Sequence, residues 1–425
     1  MPILIKNIGQ LLSCKNKSFL PKKGKELSDI GLSKNVCILI IKGKIASTGK
    51  EKSILKFLKE NSINNYKEID ASGKVVMPGF IDSHTHFVFA GSRENEYEMR
   101  IAGATYEEIA EAGGGIVRTV DAVRKTSKEK LKQLASARLK YFIQNGTTTI
   151  EAKSGYGLDI RNEIKTLEVI NELNNENLYK LDIIPTFLGA HAVPRGISKK
   201  DYIDDVIYNM IPEVAKGKLA YFIDAFCEKG YFDKEETIRI LFQGRKFGLI
   251  PKLHTDQFHS IGGIEAAINN SAISVDHLEA LRDKDIKKLS AYNSGKENYM
   301  MATMLPGVSY FIDIPYQPAR KLINSNVPVA LATDFNPGSC MTENMQIIMS
   351  LASLKLKMTV EEIINAVTYN AACALFMQSK IGSIETGKQA DILIFDMKDY
   401  KELVYNFGVN RINYVIKKGK IIHKN

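Results

Sequence analysis

Through the middle of the chain, short apolar runs that close on polar residues alternate with longer stretches whose apolar positions recur at helical spacing. Between about residue 78 and residue 380 there are eight such runs: GFIDSHTH, TTTIEAKS, DIIPTFLGAH, YFIDAFCE, LIPKLHTD, AISVDHLE, MMATML and PVALATDF. Strands that are apolar on both faces belong to a parallel sheet covered by helices, and eight of them alternating with helices predict a (β/α)8 barrel of the TIM type. An open doubly wound sheet is the alternative topology. Among the intervening stretches, KEKLKQLASARLKYFIQNG carries apolar residues at helical spacing with basic residues outside. TVEEIINAVTYNAACALF opens on a threonine with a glutamate three residues on, the pattern of a capped helix start.

The two ends follow a different rule. VCILIIKGKIASTG near the start and INYVIKKGKII at the close each read as strand, Gly-Lys turn, strand. An isolated hairpin is only marginally stable, so the termini are expected to meet in one small sheet that each completes for the other. The expected organisation is a small β-sandwich domain built from residues 1–77 and 380–425, with the catalytic barrel between them at 78–379. The run Gly113 to Gly115 in EAGGGIVRTV lacks the Walker lysine and follows no strand, so it reads as a mobile loop near the site rather than a phosphate cradle.

Composition narrows the function classes. Hydrophobic residues make up 44% and charged residues 25% of the 425, enough to build a sizeable core. The net charge of +10 is spread along the chain and forms no nucleic-acid arm. No run reaches the roughly 20 apolar residues a bilayer span needs, and the N-terminus lacks a signal-peptide layout, so a cytoplasmic protein without a membrane partner is expected. The five cysteines are widely spaced and never form CxxC, which argues for reduced thiols and against a disulfide framework or a thiolate zinc site.

Chemistry collects at the carboxyl ends of the predicted strands, the face where barrel active sites are built. Of seven histidines, His84, His86, His191, His254 and His277 lie there, whereas His259 and His423 fall elsewhere. Residues two apart on a strand share a face, so His84 and His86 can converge on one ion. With His254 and Asp334 at the ends of other strands, three imidazoles and a carboxylate form a set suited to zinc or iron. Such an ion brings the pKa of its water toward neutrality and so supplies a hydroxide that attacks a carbonyl carbon, which makes hydrolysis the expected reaction class. Asp334 could take the proton from that water and pass it to the leaving nitrogen, while His277 could polarise the carbonyl oxygen.

The segment KVVMPGFIDSHTHFVFAGSRENEYEMRIAGATYEEIAEAGGGI resembles the metal-site segment of the imidazolonepropionase family, cyclic-amide hydrolases of the amidohydrolase superfamily. EAKSGYGL, FLGAHAVP, KLHTDQF, SVDHLE and ATDFNPGS resemble further motifs of that family in the same order, and GSIETGKQADILIFD resembles the closing strands of the superfamily's small domain. The resemblance covers nearly the whole chain. It implies opening of 4-imidazolone-5-propanoate to N-formimidoyl-L-glutamate in histidine degradation, with one Zn2+ or Fe3+ per chain held by His84, His86, His254 and Asp334. It further implies a small anionic heterocyclic substrate and a homodimer. Arg93, Tyr156 and His191 match the family's substrate positions, Arg93 by a charge-assisted contact to the propionate. Asn336, Gly338 and Ser339 match the loop that holds ring and product, and Tyr106 is a further pocket member. For Arg93 the alternative is a surface ion pair with Glu94 or Glu96.

Gln257 departs from the wider superfamily, where a glutamate often shuttles protons at the fourth position of HxxE. An amide can hydrogen-bond a ring nitrogen but cannot relay a proton as a carboxylate does, so Gln257 speaks against a deaminase and moves proton transfer to Asp334. The two-metal relatives carry a carboxylated lysine after the fourth strand, where this chain has Cys227 and Glu228, so one ion is expected. Lys153 reads as structural or as orienting polar groups in the pocket. Two other functions stay open on the same fold, a heterocycle deaminase and a non-catalytic scaffold.

Overall fold

The computed structural model describes the chain outside residues 105–107, 109–112, 177–179 and 296–297. Its N-terminal part forms strands β1 (Ile3–Ile8), β2 (Gln10–Leu12), β3 (Leu32–Ser33), β4 (Val36–Ile41), β5 (Lys44–Gly49), β6 (Lys67–Asp70) and β7 (Val75–Pro78). The eight apolar runs become β8 (Phe80–Asp82), β9 (Thr147–Lys153), β10 (Asp182–Ala190), β11 (Phe222–Cys227), β12 (Ile250–Thr255), β13 (Ser274–His277), β14 (Met301–Met304) and β15 (Val329–Leu331). The chain ends in β16 (Ile392–Phe395), β17 (Ile412–Lys417) and β18 (Lys420–Lys424).

Strands β8 to β15 pair in parallel in sequence order, and a bridge between Thr85 and Phe335 joins the last to the first. His86 N donates to Phe335 O at 3.0 Å and Asp334 N donates to His84 O at 3.0 Å across that seam. Just below, the Asp82 carboxylate accepts from Thr333 N at 3.0 Å and from Thr333 Oγ1 at 2.6 Å. The predicted (β/α)8 barrel is therefore present and closed, and the open sheet is not.

Helices cover the barrel where their caps allow. Ser127 accepts from Lys130 N and starts the helix Lys128–Gln144, and Thr359 forms a capping box with Glu362 ahead of Val360–Ala366. The stretch read as one helix from Thr359 onward is two. Val367 gives its carbonyl to Ile81 N on the first barrel strand instead of to its own helix, and the Thr368 hydroxyl turns back to Ile364 O, so a second helix begins only at Tyr369.

The termini make two sheets, not one. β5-β4-β1-β6 lies in one sheet, and β18-β17-β16-β7-β2-β3 in the other. Each Gly-Lys hairpin belongs to a different sheet, and the sheets share a core that includes Ile5, Ile38, Ile40, Val76, Ile392, Ile394 and Ile416. Each sheet is apolar on the face that meets the other, which makes the pair a sandwich. The hairpin turns meet tip to tip: a Cβ on Gly419 would lie 2.8 Å from Gly43 Cα. Lys417, fully buried, binds Asp391 at 2.7 Å in the sandwich and Asp182 at 2.8 Å on barrel strand β10.

Candidate metal centre and substrate cavity

Barrels of this type are usually filled by branched apolar side chains. Here the layer beneath the candidate site is charged. Lys153 Nζ binds Asp224 Oδ2 at 2.7 Å and Glu151 Oε1 at 2.9 Å, and Lys252 Nζ binds Glu151 Oε2 at 2.7 Å and Ser83 O at 3.0 Å, all fully buried. Burial opposes the charge of Lys153, but the Asp224 and Glu151 carboxylates outweigh it and hold the ammonium above the usual lysine range. Lys153 and Lys252 also stand 3.7 Å and 3.9 Å from Asp276 Oδ2, so Asp224 and Asp276 are both held under the histidines. His84 Nδ1 meets Asp276 Oδ2 at 2.7 Å and His254 Nδ1 lies 2.9 Å from Asp224 Oδ2. A carboxylate on Nδ1 sets the tautomer and leaves Nε2 as a lone-pair donor. The register sets these groups at one height, since His254 on β12 pairs with Asp276 on β13 and with Phe226 on β11.

The Nε2 atoms converge. His84 Nε2 and His86 Nε2 each lie 3.4 Å from Asp334 Oδ1, and His86 Nε2 lies 3.3 Å from His254 Nε2. His84 Nε2 and Asp334 Oδ1 are buried and have no hydrogen-bond partner. Lone-pair donors that face one another without a proton between them repel unless a cation bridges them, so the residues present fit a metal ion. Two groups of ligand atoms within 4.8 Å of one another share His84, one with His86 and Asp334, the other with His254 and His277. A third, His84 with Glu151 and Asp276, has its carboxylates engaged by Lys153, Lys252 and His84 itself.

Burial, reinforced by neighbouring cations, pushes His84 and His86 well below the usual histidine range, and burial takes His254 down to about 3, so the three rings stand neutral as ligands require. Burial pushes the Asp334 carboxyl up to about 6 against the pull of His277. For His277 burial works the other way from the outcome: Glu279, with Oε1 at 3.5 Å from Nδ1, raises it above the ordinary value. Backbone strain gathers here too, with φ of 85° at His277, 74° at Leu278 and 53° at Asp334.

Above the histidines opens a cavity of about 530 Å³ whose lining includes His86, Arg93, Tyr156, His191, His254, Gln257, His277, Asp334, Asn336, Gly338 and Ser339. His84 lies beneath, with no exposed surface. Tyr106 falls outside the described residues. His191 stacks on His86 at 5.3 Å and meets Gly155 O through Nδ1 at 3.0 Å, and burial lowers it to about 4. Asn336 organises its own loop: Oδ1 accepts from Gly338 N at 2.8 Å and Ser339 N at 2.9 Å, while Nδ2 donates to Asp334 O and Ser339 Oγ at 2.7 Å each. Ser339 Oγ in turn holds Asp334 Oδ2 at 3.2 Å. Arg93 does pair with Glu96, through Nε at 2.8 Å and Nη2 at 2.7 Å, with the arginine half-buried and the glutamate buried, so the pair is not an open surface one. Its guanidinium lies where a Cβ on Gly338 would come within 2.1 Å of Nη1.

The sequence reading passed over Asp224, Asp276, Glu151 and Lys252, whose signal was a charged residue inside an otherwise apolar strand. It also set His259 apart from the site. His259 lines the cavity, with Nδ1 3.1 Å from Glu228 Oε1, because its loop folds back over the barrel mouth after β12. Gly115 starts the helix Ile116–Lys125 with φ of 80°, and its N–H donates to Glu96 at 3.1 Å, so the end of the glycine run secures the acid that pairs with Arg93.

Comparison with known proteins agrees with this geometry. The amidohydrolase family matches residues 67–116 and 253–422. An imidazolonepropionase from Christiangramia forsetii is 44% identical over 425 residues, covering 99% of this chain and 100% of the relative. An imidazolonepropionase from Flavobacterium johnsoniae is likewise 44% identical, with 99% and 100% covered. Among solved structures, atrazine chlorohydrolase from Arthrobacter aurescens complexed with zinc shares the fold at a TM-score of 0.72 and 16% identity, over 100% of this chain and 95% of that one. Among the described residues no helix is long and apolar enough to cross a membrane.

Proposed function

The chain belongs to the imidazolonepropionase family of amidohydrolases, and from that premise we propose that it hydrolyses the cyclic amide of 4-imidazolone-5-propanoate to N-formimidoyl-L-glutamate in histidine degradation. The observation that carries the reading is the convergence of His84 Nε2, His86 Nε2, His254 Nε2 and Asp334 Oδ1, the first and last of them without a hydrogen-bond partner, on the floor of a cavity walled by Arg93, Tyr156 and His191. Those four residues hold one Zn2+ or Fe3+ per chain. Bound there, the ion supplies Lewis acidity and a nucleophile drawn from water at neutral pH.

The chain's own residues do the rest. Arg93, Tyr156 and His191 hold the ring and its side chain, and the Asn336, Gly338 and Ser339 loop sets the height at which the ring sits. Asp334 Oδ2, steered by Ser339, takes a proton from the attacking water as oxygen bonds to the ring carbonyl carbon. The same carboxyl returns that proton to the ring nitrogen when the carbon–nitrogen bond breaks, and the carbonyl carbon leaves as a new carboxylate. His277 donates toward the carbonyl oxygen while charge builds on it. Gln257 hydrogen-bonds the ring and carries no proton.

The same proposal divides the chain into a catalytic barrel at 78–379 and a small domain from 1–77 and 380–425, supported by β7 lying in the terminal sheet and β8 in the barrel. It places the enzyme in the cytoplasm as a homodimer, and five free, buried cysteines suit a reducing compartment. The test is loss of the imidazolone ring's ultraviolet absorbance on mixing substrate with metal-loaded protein, with ammonia followed in the same tube. Ring loss without ammonia is expected. Ammonia release would make the protein a deaminase, and a persistent ring at about one ion per chain would leave the metal site but remove the substrate.

A further inference from the structure

A small anion bound in this cavity needs a positive charge that is not already spent. Arg93 gives Nε and Nη2 to Glu96, whose carboxylate is buried and also takes the Gly115 N–H. Much of the guanidinium's charge is therefore neutralised before a ligand arrives. Lys229 stands differently. It lines the cavity from the loop after β11, the fourth strand of the ring, across the barrel from Arg93, which follows the first. Among the described residues its ammonium has no carboxylate within ion-pair distance. Lys199 and Lys234 line the adjoining hollow of about 410 Å³ with it, and both are paired, with Glu236 at 2.6 Å and with Glu235 at 3.2 Å.

The backbone that carries Lys229 is fixed. Its N–H donates to Glu228 Oε1 at 2.8 Å, and the other oxygen takes Phe258 N at 2.9 Å and His259 N at 3.1 Å. His259 Nδ1 adds a fourth contact at 3.1 Å, so this buried carboxylate is committed to joining two loops and not to the ammonium. The turn closes through Gly230, at φ of 88°, with Tyr231 N donating to Glu228 O at 3.0 Å. The fixed turn places the root of the side chain at the cavity mouth, so ordering the four-carbon stem is the remaining cost when the ammonium meets a carboxylate.

We propose that Lys229 is a specificity-determining residue of this enzyme, its ammonium receiving the carboxylate of the ring's side chain from the side of the cavity opposite Arg93. The inference rests on the ring-opening reading above and names a residue that reading does not use.

The test compares wild type with Lys229→Gln and Lys229→Arg on 4-imidazolone-5-propanoate and on the analogue whose carboxylate is a primary amide. Lys229→Gln is expected to raise KM for the carboxylate about tenfold with kcat within about twofold, to leave KM for the amide unchanged, and to be largely rescued by Lys229→Arg. An unchanged KM for the carboxylate, or equal losses on both compounds, overturns the proposal. Calorimetric binding of 3-(imidazol-4-yl)propanoate, a stable ring with the same side chain, separates this inference from the reaction itself. If wild type turns over no imidazolone, the ring-opening reading falls alone, and Lys229 is judged on that binding. A loss of about tenfold in Lys229→Gln supports it and equal binding overturns it.

Discussion

Gly338 has room for a hydrogen and nothing larger, because a side chain there would displace the Arg93 guanidinium. Gly338→Ala is expected to raise KM about tenfold and leave the thermal midpoint in place, read from steady-state kinetics beside a melting curve. Asp334→Asn keeps the side chain's shape and removes its basicity, so kcat should fall about 10²- to 10⁴-fold while circular dichroism is unchanged. Near-normal turnover would take Asp334 out of proton transfer. The histidines of the site were legible because strand periodicity places His84 and His86 on one face and the run ends place the others at equal height. Their supporting acids were not. Asp224 and Asp276 sit inside apolar runs with no local mark of a partner, and the pairing with His254 and His84 depends on neighbours from other strands. His259 was misplaced for a related reason, since a residue beyond a strand end can return over the mouth only if something draws its loop back, and Glu228 does so from a different loop.

At the level of elements, all eight barrel strands were legible because strands buried on both faces read as continuous apolar runs. The terminal hairpins were legible as hairpins, but their assignment to one sheet was not, because alternation fixes which face is buried and says nothing about which sheet a strand joins. What the repeated Gly-Lys phrase marks is a contact between turns. Gly419 has φ of 68° and packs on Gly43, itself at φ of 79°. Gly419→Ala therefore meets both backbone strain and a collision, and urea denaturation should show a loss of about 1–3 kcal/mol. The barrel seam offers a second case. Thr333→Val removes one of the two hydrogen bonds that the buried Asp82 carboxylate accepts there, and the expected loss is about 1–3 kcal/mol by the same measurement.

Across the whole molecule, sandwich and barrel are tied through Lys417, which no sequence pattern distinguishes from its neighbours Lys418 and Lys420. Lys417→Met leaves Asp182 and Asp391 buried without their shared cation and should cost about 3–5 kcal/mol. Burial raises the Asp182 carboxyl, but Lys417 and Lys418 outweigh it and hold it below the usual carboxylate range. A depressed folded value stabilises the fold fully above the unfolded value near 3.9 and loses that contribution as pH falls below it, so wild type should shed stability below about pH 4 more steeply than Lys417→Met. The seam that closes the barrel also sets an order of events during synthesis. Asp82 and Thr333 are 251 residues apart, and the histidine pair just after the one leaves the ribosome long before the aspartate just after the other has been made. A partial product thus offers an ion only a fragment of its cage, and the full set of donors comes together only when the ring has shut. Once loaded, an ion that binds only the shut ring holds it shut by mass action, so a chelator should speed amide exchange first at residues 84–86 and 333–335.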